Sequence, residues 1–210
     1  MLKLMKLFLV TFILLTASHA FASWQPQSKE LKKAYNKAKK NIVAVHSEAL
    51  ENAFRFYESN KTKEKLRSDY LGIADFTLKS NMKRLAMVNL KDGSVDFFKV
   101  SHGKGSDRNH DLVMDSASSL QGSHSTPLGF HKMGDTYYGK HGLSVKMHGL
   151  EKQNKSSLKR LIVLHGAKYV SNKHTGRSLG CPAVEDKYTK DIIKKLKGGG
   201  LFYHYWVPKK

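Results

Sequence analysis

The chain has 210 residues, with 37 Lys or Arg against 17 Asp or Glu and a formal net charge of +20. That length suits one domain with a sizeable core plus an extension, and a single cysteine, Cys181, excludes an intramolecular disulfide framework. The positive excess either favours a polyanionic partner or serves solubility alone. The basic residues form neither a zinc-finger spacing nor an aromatic RNA-recognition signature, so no nucleic-acid partner is expected.

Residues 1–22 read as a signal peptide. Lys3 and Lys6 open it, Leu7 to Leu15 form an apolar run broken only by Thr11, and Ala20-Phe21-Ala22 places small residues where a signal peptidase reads. A membrane anchor would need about 20 apolar residues, and this run has about half that. Cleavage before Ser23 removes two lysines and no acid, leaving 188 residues and a charge of +18. The expected product has no membrane span and lies in the periplasm or outside the cell, associated with the wall. The polyanions there are cell-wall carboxylates, anionic envelope polymers and phospholipid head groups.

Residues 23–68 read as a helical N-terminal extension. Leu31, Tyr35, Ala38, Ile42, Ala49, Ala53, Phe54 and Tyr57 recur at mostly helical spacing, which predicts one long helix or two shorter ones from Ser28 to about Ser59, with Ser28 as N-cap. Lysines fill much of the other face. From residue 69 to 210 the pattern is that of strands: Tyr70 to Leu78, Arg84 to Leu90, Ser94 to Val100, Leu143 to Met147, Leu161 to His165 and Leu201 to Val207. Lys91-Asp92-Gly93 makes a hairpin turn, with glycine supplying the positive φ. A long Gly-, Ser- and His-rich stretch from Ser101 to Ser125 is of the kind that is functional or mobile. Tyr188, Ile192 and Leu196 mark a short amphipathic helix stopped by Gly198-Gly199-Gly200. The expected fold is a mainly β domain with a helical N-terminal extension.

The chemistry centres on Cys181, in the run Gly176-Arg177-Ser178-Leu179-Gly180-Cys181-Pro182, and on His165, which closes the apolar stretch Leu161-Ile162-Val163-Leu164. A free thiol is only a few per cent thiolate at neutral pH, so catalysis needs a base within reach or a field that favours the anion. His165, ending a buried strand, is the best-placed base. A helix starting near Glu185 is too distant for its field to dominate. Gly180 allows a substrate carbonyl close to the backbone. Pro182 has no N–H, so oxyanion donors must come from Cys181 or from residues before it, such as Gly180 and Leu179. The alternative, a cysteine acting as a small buried hydrophobe, fits poorly with a polar Gly/Ser/Arg loop.

At these residues the chain resembles the cysteine L,D-transpeptidases of bacterial peptidoglycan. It is similar in particular to the murein L,D-transpeptidase catalytic-domain family. The likeness rests on Thr126-Pro127-Leu128-Gly129-Phe130, Tyr138-Gly139-Lys140-His141-Gly142-Leu143, His165-Gly166-Ala167-Lys168-Tyr169-Val170-Ser171 and the run from Gly176 to Val184, and extends from about Ser101 to Val207. The resemblance implies a mainly β, mixed sandwich or barrel-like catalytic domain and a two-step acyl transfer. Cys181 attacks the amide between meso-diaminopimelate and D-alanine in a tetrapeptide stem and releases D-alanine, and the thioester then passes to an acceptor amine or to water. It also implies His165 as proton acceptor and donor, Ser178 orienting the pair or the loop, and backbone N–H groups around Gly180 and Cys181 holding the oxyanion. Arg177, His141, Gly166 and Tyr169 are the expected substrate-binding residues, and no cofactor or metal is expected.

The chain departs from the common motif at Leu179, where a histidine is usual, and at Ala183, where an arginine is usual. His165 must then be oriented by other groups, such as backbone carbonyls. Arg177 is a candidate for carboxylate recognition, with a loop salt bridge as the alternative. His102 lies in a glycine-flanked run and is a second cleft candidate, whereas His148, His174 and His204 carry no motif. An L,D-carboxypeptidase using the same thioester and a non-catalytic basic wall-binding protein remain open. A zinc hydrolase joining Cys181 to some of the 11 histidines would lack any helical His pair or HExxH motif.

Overall fold

The structure is a computed structural model that describes residues 24–171 and 175–208. The expected signal peptide and His174 lie outside the described residues. No helix among them is long and apolar enough to cross a membrane.

The N-terminal periodicity resolves into two helices, α1 (Lys29–Asn41) and α2 (Ser47–Asn60). Ser28 caps α1 as expected, its hydroxyl accepting from the Leu31 N–H at 3.2 Å. Eight strands follow: β1 (Tyr70–Asp75), β2 (Leu85–Asn89), β3 (Val95–Phe98), β4 (Gly129–Gly139), β5 (Gly142–Gly149), β6 (Val163–Gly166), β7 (Ala183–Val184) and β8 (Leu201–Tyr205). Helix α3 (Asp186–Leu196) separates β7 from β8.

The strands form one sheet in the order β3-β2-β1-β8-β4-β5-β6-β7. The β1–β8 and β6–β7 pairs are parallel and the others antiparallel. Beyond β3 the chain reaches the far edge: Val100 bridges Val184, and the Ser101 N–H donates to Ala183 O at 2.8 Å. The sheet is therefore nearly closed and barrel-like, and the fold is mainly β as the sequence implies.

Alternation along the strands explains the two layers of core. Leu71 and Ile73 of β1 and Ala86 and Val88 of β2 face α1 and α2, where Ala34, Tyr35, Leu50 and Phe54 cover them. The intervening Ala74, Leu85 and Met87 face the interior, with Met133, Met147, Leu164, Phe202 and the α3 residues Ile192, Ile193 and Leu196. A period of two with both faces apolar is what a sheet covered on both sides requires. The β2–β3 hairpin turns at Gly93, φ +71°, against α1: a Cβ there would lie 2.3 Å from Ala34 O.

Strand β4 went unrecognised in the sequence. Its eleven residues, GFHKMGDTYYG, include glycines, an aspartate and an irregularity between Met133 and Thr136, which break the alternation. The strand expected from Leu161 begins instead at Val163, because Leu161 is 75% exposed with a left-handed φ of +58°.

Candidate active site

Strand β6 places both principal residues. It lies between β5, where Ser144 faces His165, and β7, where His165 faces Ala183. Two residues back along the parallel register, Cys181 meets the strand beside Val163, whose N–H approaches Sγ at 3.5 Å. Val163 and His165 are two residues apart and project from the same face of the strand, and both face the cleft that Cys181 also lines. Both line a cleft of about 650 Å³ with Tyr137, Lys140, His141 and Arg160 among its other walls.

The His165 ring is buried, and its Nδ1 lies 2.8 Å from Gly166 O. A carbonyl only accepts, so Nδ1 carries the proton and Nε2 keeps its lone pair. This backbone contact supplies the orientation that Leu179 cannot. Burial lowers the His165 pKa below its usual value, the Gly166 carbonyl opposes this, and His141, stacked at 4.2 Å between ring centroids, lowers it further. Burial raises the Cys181 pKa, against the Val163 N–H and the fields of Arg160 and Lys140. The resting pair is thus a neutral imidazole beside a neutral thiol.

The cysteine loop is held from behind. Ser178 Oγ donates to Cys181 O at 2.6 Å and accepts the Gly180 N–H at 3.0 Å. The Ser178 N–H donates to His102 O at 2.9 Å. Ser178 therefore shapes the loop, and the Gly180 N–H expected at the oxyanion is already donated to Ser178. Gly180 has φ +120°, and a Cβ there would sit 2.8 Å from Ser125 O, so no other residue fits without strain.

A family model described as the L,D-transpeptidase catalytic domain matches residues 41–205. The chain belongs to that family. No curated protein matches the sequence. Among solved structures, Bd1075 of Bdellovibrio bacteriovorus aligns at 15% identity and TM-score 0.42, over 66% of this chain and 48% of its own. Pgp2, the helical cell shape determining protein of Campylobacter jejuni, aligns at 14% and 0.44, over 68% and 49%. L,D-transpeptidase 3 from Mycobacterium tuberculosis, in complex with a faropenem-derived adduct, aligns at 10% and 0.43, over 65% and 60%. The alignments span about half to three-fifths of these proteins' lengths.

Within this L,D-transpeptidase-family chain the other expected site residues divide. His141, Tyr169 and Arg177 line the cleft. Burial pushes the Tyr169 phenol up to about 12, so it stays protonated. Arg177 donates through Nη1 to the Asp107 carbonyl, a backbone tether in place of a loop salt bridge. Gly166 is not on the cleft wall: a Cβ there would lie 2.5 Å from both Asp186 Oδ1 and Thr189 Oγ1, so it serves the packing of α3.

His102 is fully buried and outside the cleft. Its Nδ1 accepts from Arg84 Nη2 at 3.1 Å, and its Nε2–H donates to Asp107 Oδ2 at 3.1 Å. Burial and the Arg84 charge push its pKa down to about 4, so it is a neutral brace for Ser178. The stretch from Ser101 to Ser125 thus packs on the cysteine loop. Among the described residues, the grouping able to hold a metal ion is Asp107, Asp111 and Asp115, which includes neither Cys181 nor a histidine.

Two cleft cations, Arg160 and Lys140, were not among the expected site residues. Arg160 precedes the apolar run without a motif of its own, and Lys140 lies in the run Tyr138 to Leu143 that carries the resemblance. Among the described residues, the cleft wall carries Lys140, Arg160 and Arg177 and no carboxylate.

Proposed function

We propose that this protein is an exported peptidoglycan L,D-transpeptidase that works through a Cys181 thioester. The observation that carries the reading is the His165 tautomer: Nδ1–H is tied to Gly166 O, which leaves Nε2 as a base in the cleft that holds the thiol. In the acylation step Cys181 Sγ attacks the carbonyl of the amide joining meso-diaminopimelate to D-alanine. His165 Nε2 takes the thiol proton and returns it to the departing D-alanine amine. The oxyanion donors of this loop are then the Cys181 and Leu179 N–H groups, since the Gly180 N–H serves Ser178. An acceptor amine then attacks the thioester, again losing its proton to His165, and restores the thiol.

Three cleft-lining cations, with no carboxylate among the described lining residues, suit a donor stem rich in carboxylates. The overall charge of +20 suits residence near anionic wall polymers. The test is product analysis after incubation with disaccharide-tetrapeptide. Released D-alanine with cross-linked dimers is the expected outcome, tripeptide alone would assign an L,D-carboxypeptidase, and an unchanged substrate would leave the wall-binding reading.

A further inference from the structure

Arg160 is the cleft cation whose setting calls for a partner. It sits in the turn before β6, its N–H bonded to Ser156 O at 2.8 Å. Its guanidinium is anchored by neutral acceptors: Nη1 donates to Ser118 O at 2.8 Å, and Nη2 to Ser125 O at 2.8 Å and Ser123 Oγ at 3.3 Å. Among the described residues no carboxylate pairs with it. A half-buried charge held only by carbonyls and a hydroxyl lacks a counter-ion.

The anchoring sets it against the cysteine loop. Nη2 lies 3.2 Å from the point where a Cβ on Gly180 would be, directly beside Cys181. Arg160 also precedes Leu161, whose carbonyl faces Sγ at 3.6 Å. We propose that Arg160 is the anion-stabilising cation of this site, fixed by the 118–125 segment so that its charge favours the Cys181 thiolate as it forms. The thiol loses its proton to His165, and the negative charge left on sulfur faces a guanidinium that needs no reorganisation to receive it. The electrostatic coupling is mutual, Arg160 lowering the Cys181 pKa and the thiolate raising that of Arg160. The arrangement supplies positive charge to a loop that has Ala183 two residues after the cysteine.

This inference rests on Cys181 as the nucleophile proposed above, but its test needs no peptidoglycan. The rate of Cys181 alkylation by iodoacetamide is followed by intact mass across pH for wild type, Arg160→Gln and Arg160→Lys, with Cys181→Ala as blank and thermal melts as a fold check. An opposite charge a few ångströms away moves a pKa by about 1–3 units, and partial exposure points to the low end. The Gln variant is expected to titrate about one unit higher and to alkylate roughly tenfold more slowly at neutral pH. The Lys variant, which keeps the charge, is expected nearer wild type. A folded Gln variant with the wild-type profile would overturn the proposal. So would a Lys variant displaced as far as Gln, because that would assign the effect to loop anchoring. Arg160→Met, which keeps the apolar stem, replaces Gln if the latter does not fold. A negative result here leaves the transpeptidase reading standing, and failed transpeptidation leaves the alkylation shift intact.

Discussion

The imidazole of His141 lies over that of His165, ring centroids 4.2 Å apart and planes 22° from parallel. His141 is exposed and His165 is buried, so the outer ring meets solvent while the inner one lies in the cleft that Cys181 also lines. The charge of His141 acts to lower the His165 pKa. Replacing His141 with Phe keeps an aromatic ring and removes the charge. The His165 pKa should then rise and the acid limb of kcat/KM move to higher pH, which a pH–rate profile measures. A profile unchanged on the acid side would refute the coupling.

The same burial sets the wild-type acid limb. Because the folded His165 pKa is lowered from 6.5, its imidazole stays neutral and usable at pH 6.5, and kcat/KM should fall only below that value. An acid limb centred above pH 7 would contradict the neutral resting pair.

Ser178 and Gly180 can be separated by substitution. Ser178→Ala removes the hydroxyl that joins Gly180 N to Cys181 O, at a cost of about 1–3 kcal/mol in stability. The loosened loop should cost about tenfold or more in kcat, since misplacing a reacting group by an ångström is expensive. Gly180→Ala meets Ser125 O and a disfavoured φ, and should lose more activity than Ser178→Ala. Thermal melts and single-turnover acylation report the two effects.

Three buried neutral histidines predict acid lability. His102 and His204 are pushed down to about 4 by burial, and His131 well below its usual value by burial and by His204. Between about pH 6.5 and 4 the unfolded chain binds protons that the folded chain refuses, so stability falls as pH falls through this window. Each histidine steepens the loss by up to about 1.4 kcal/mol per pH unit. Denaturant melts at pH 7, 6 and 5 measure the slope, and His204→Gln should flatten it if it folds.

Much of the β architecture was legible because Leu71 to Ala74 and Leu85 to Val88 are short continuous apolar runs bounded by polar turns, and the N-terminal helices because Leu31, Tyr35, Phe54 and Tyr57 recur at helical spacing. Strand β4 was hidden by Gly134, Asp135 and its irregular register, since pairing to β5 and β8 decides its conformation. At the site, Cys181 and His165 stood out because a lone thiol and a strand-ending histidine are rare local patterns. Arg160 did not, because its meaning depends on Ser118, Ser123 and Ser125, some 35 to 42 residues earlier. Gly166 misled because a motif glycine signals a close approach without saying by what, and here the neighbour is α3.

The central claim is the thioester, and intact mass spectrometry tests it most directly. Mature wild-type protein and Cys181→Ala are incubated with disaccharide-tetrapeptide and quenched in acid within the first turnover. The account predicts a wild-type mass increased by the donor stem less D-alanine, mapped to Cys181, and no adduct on the alanine variant. Turnover without any adduct on Cys181, or equal turnover by Cys181→Ala, would contradict it.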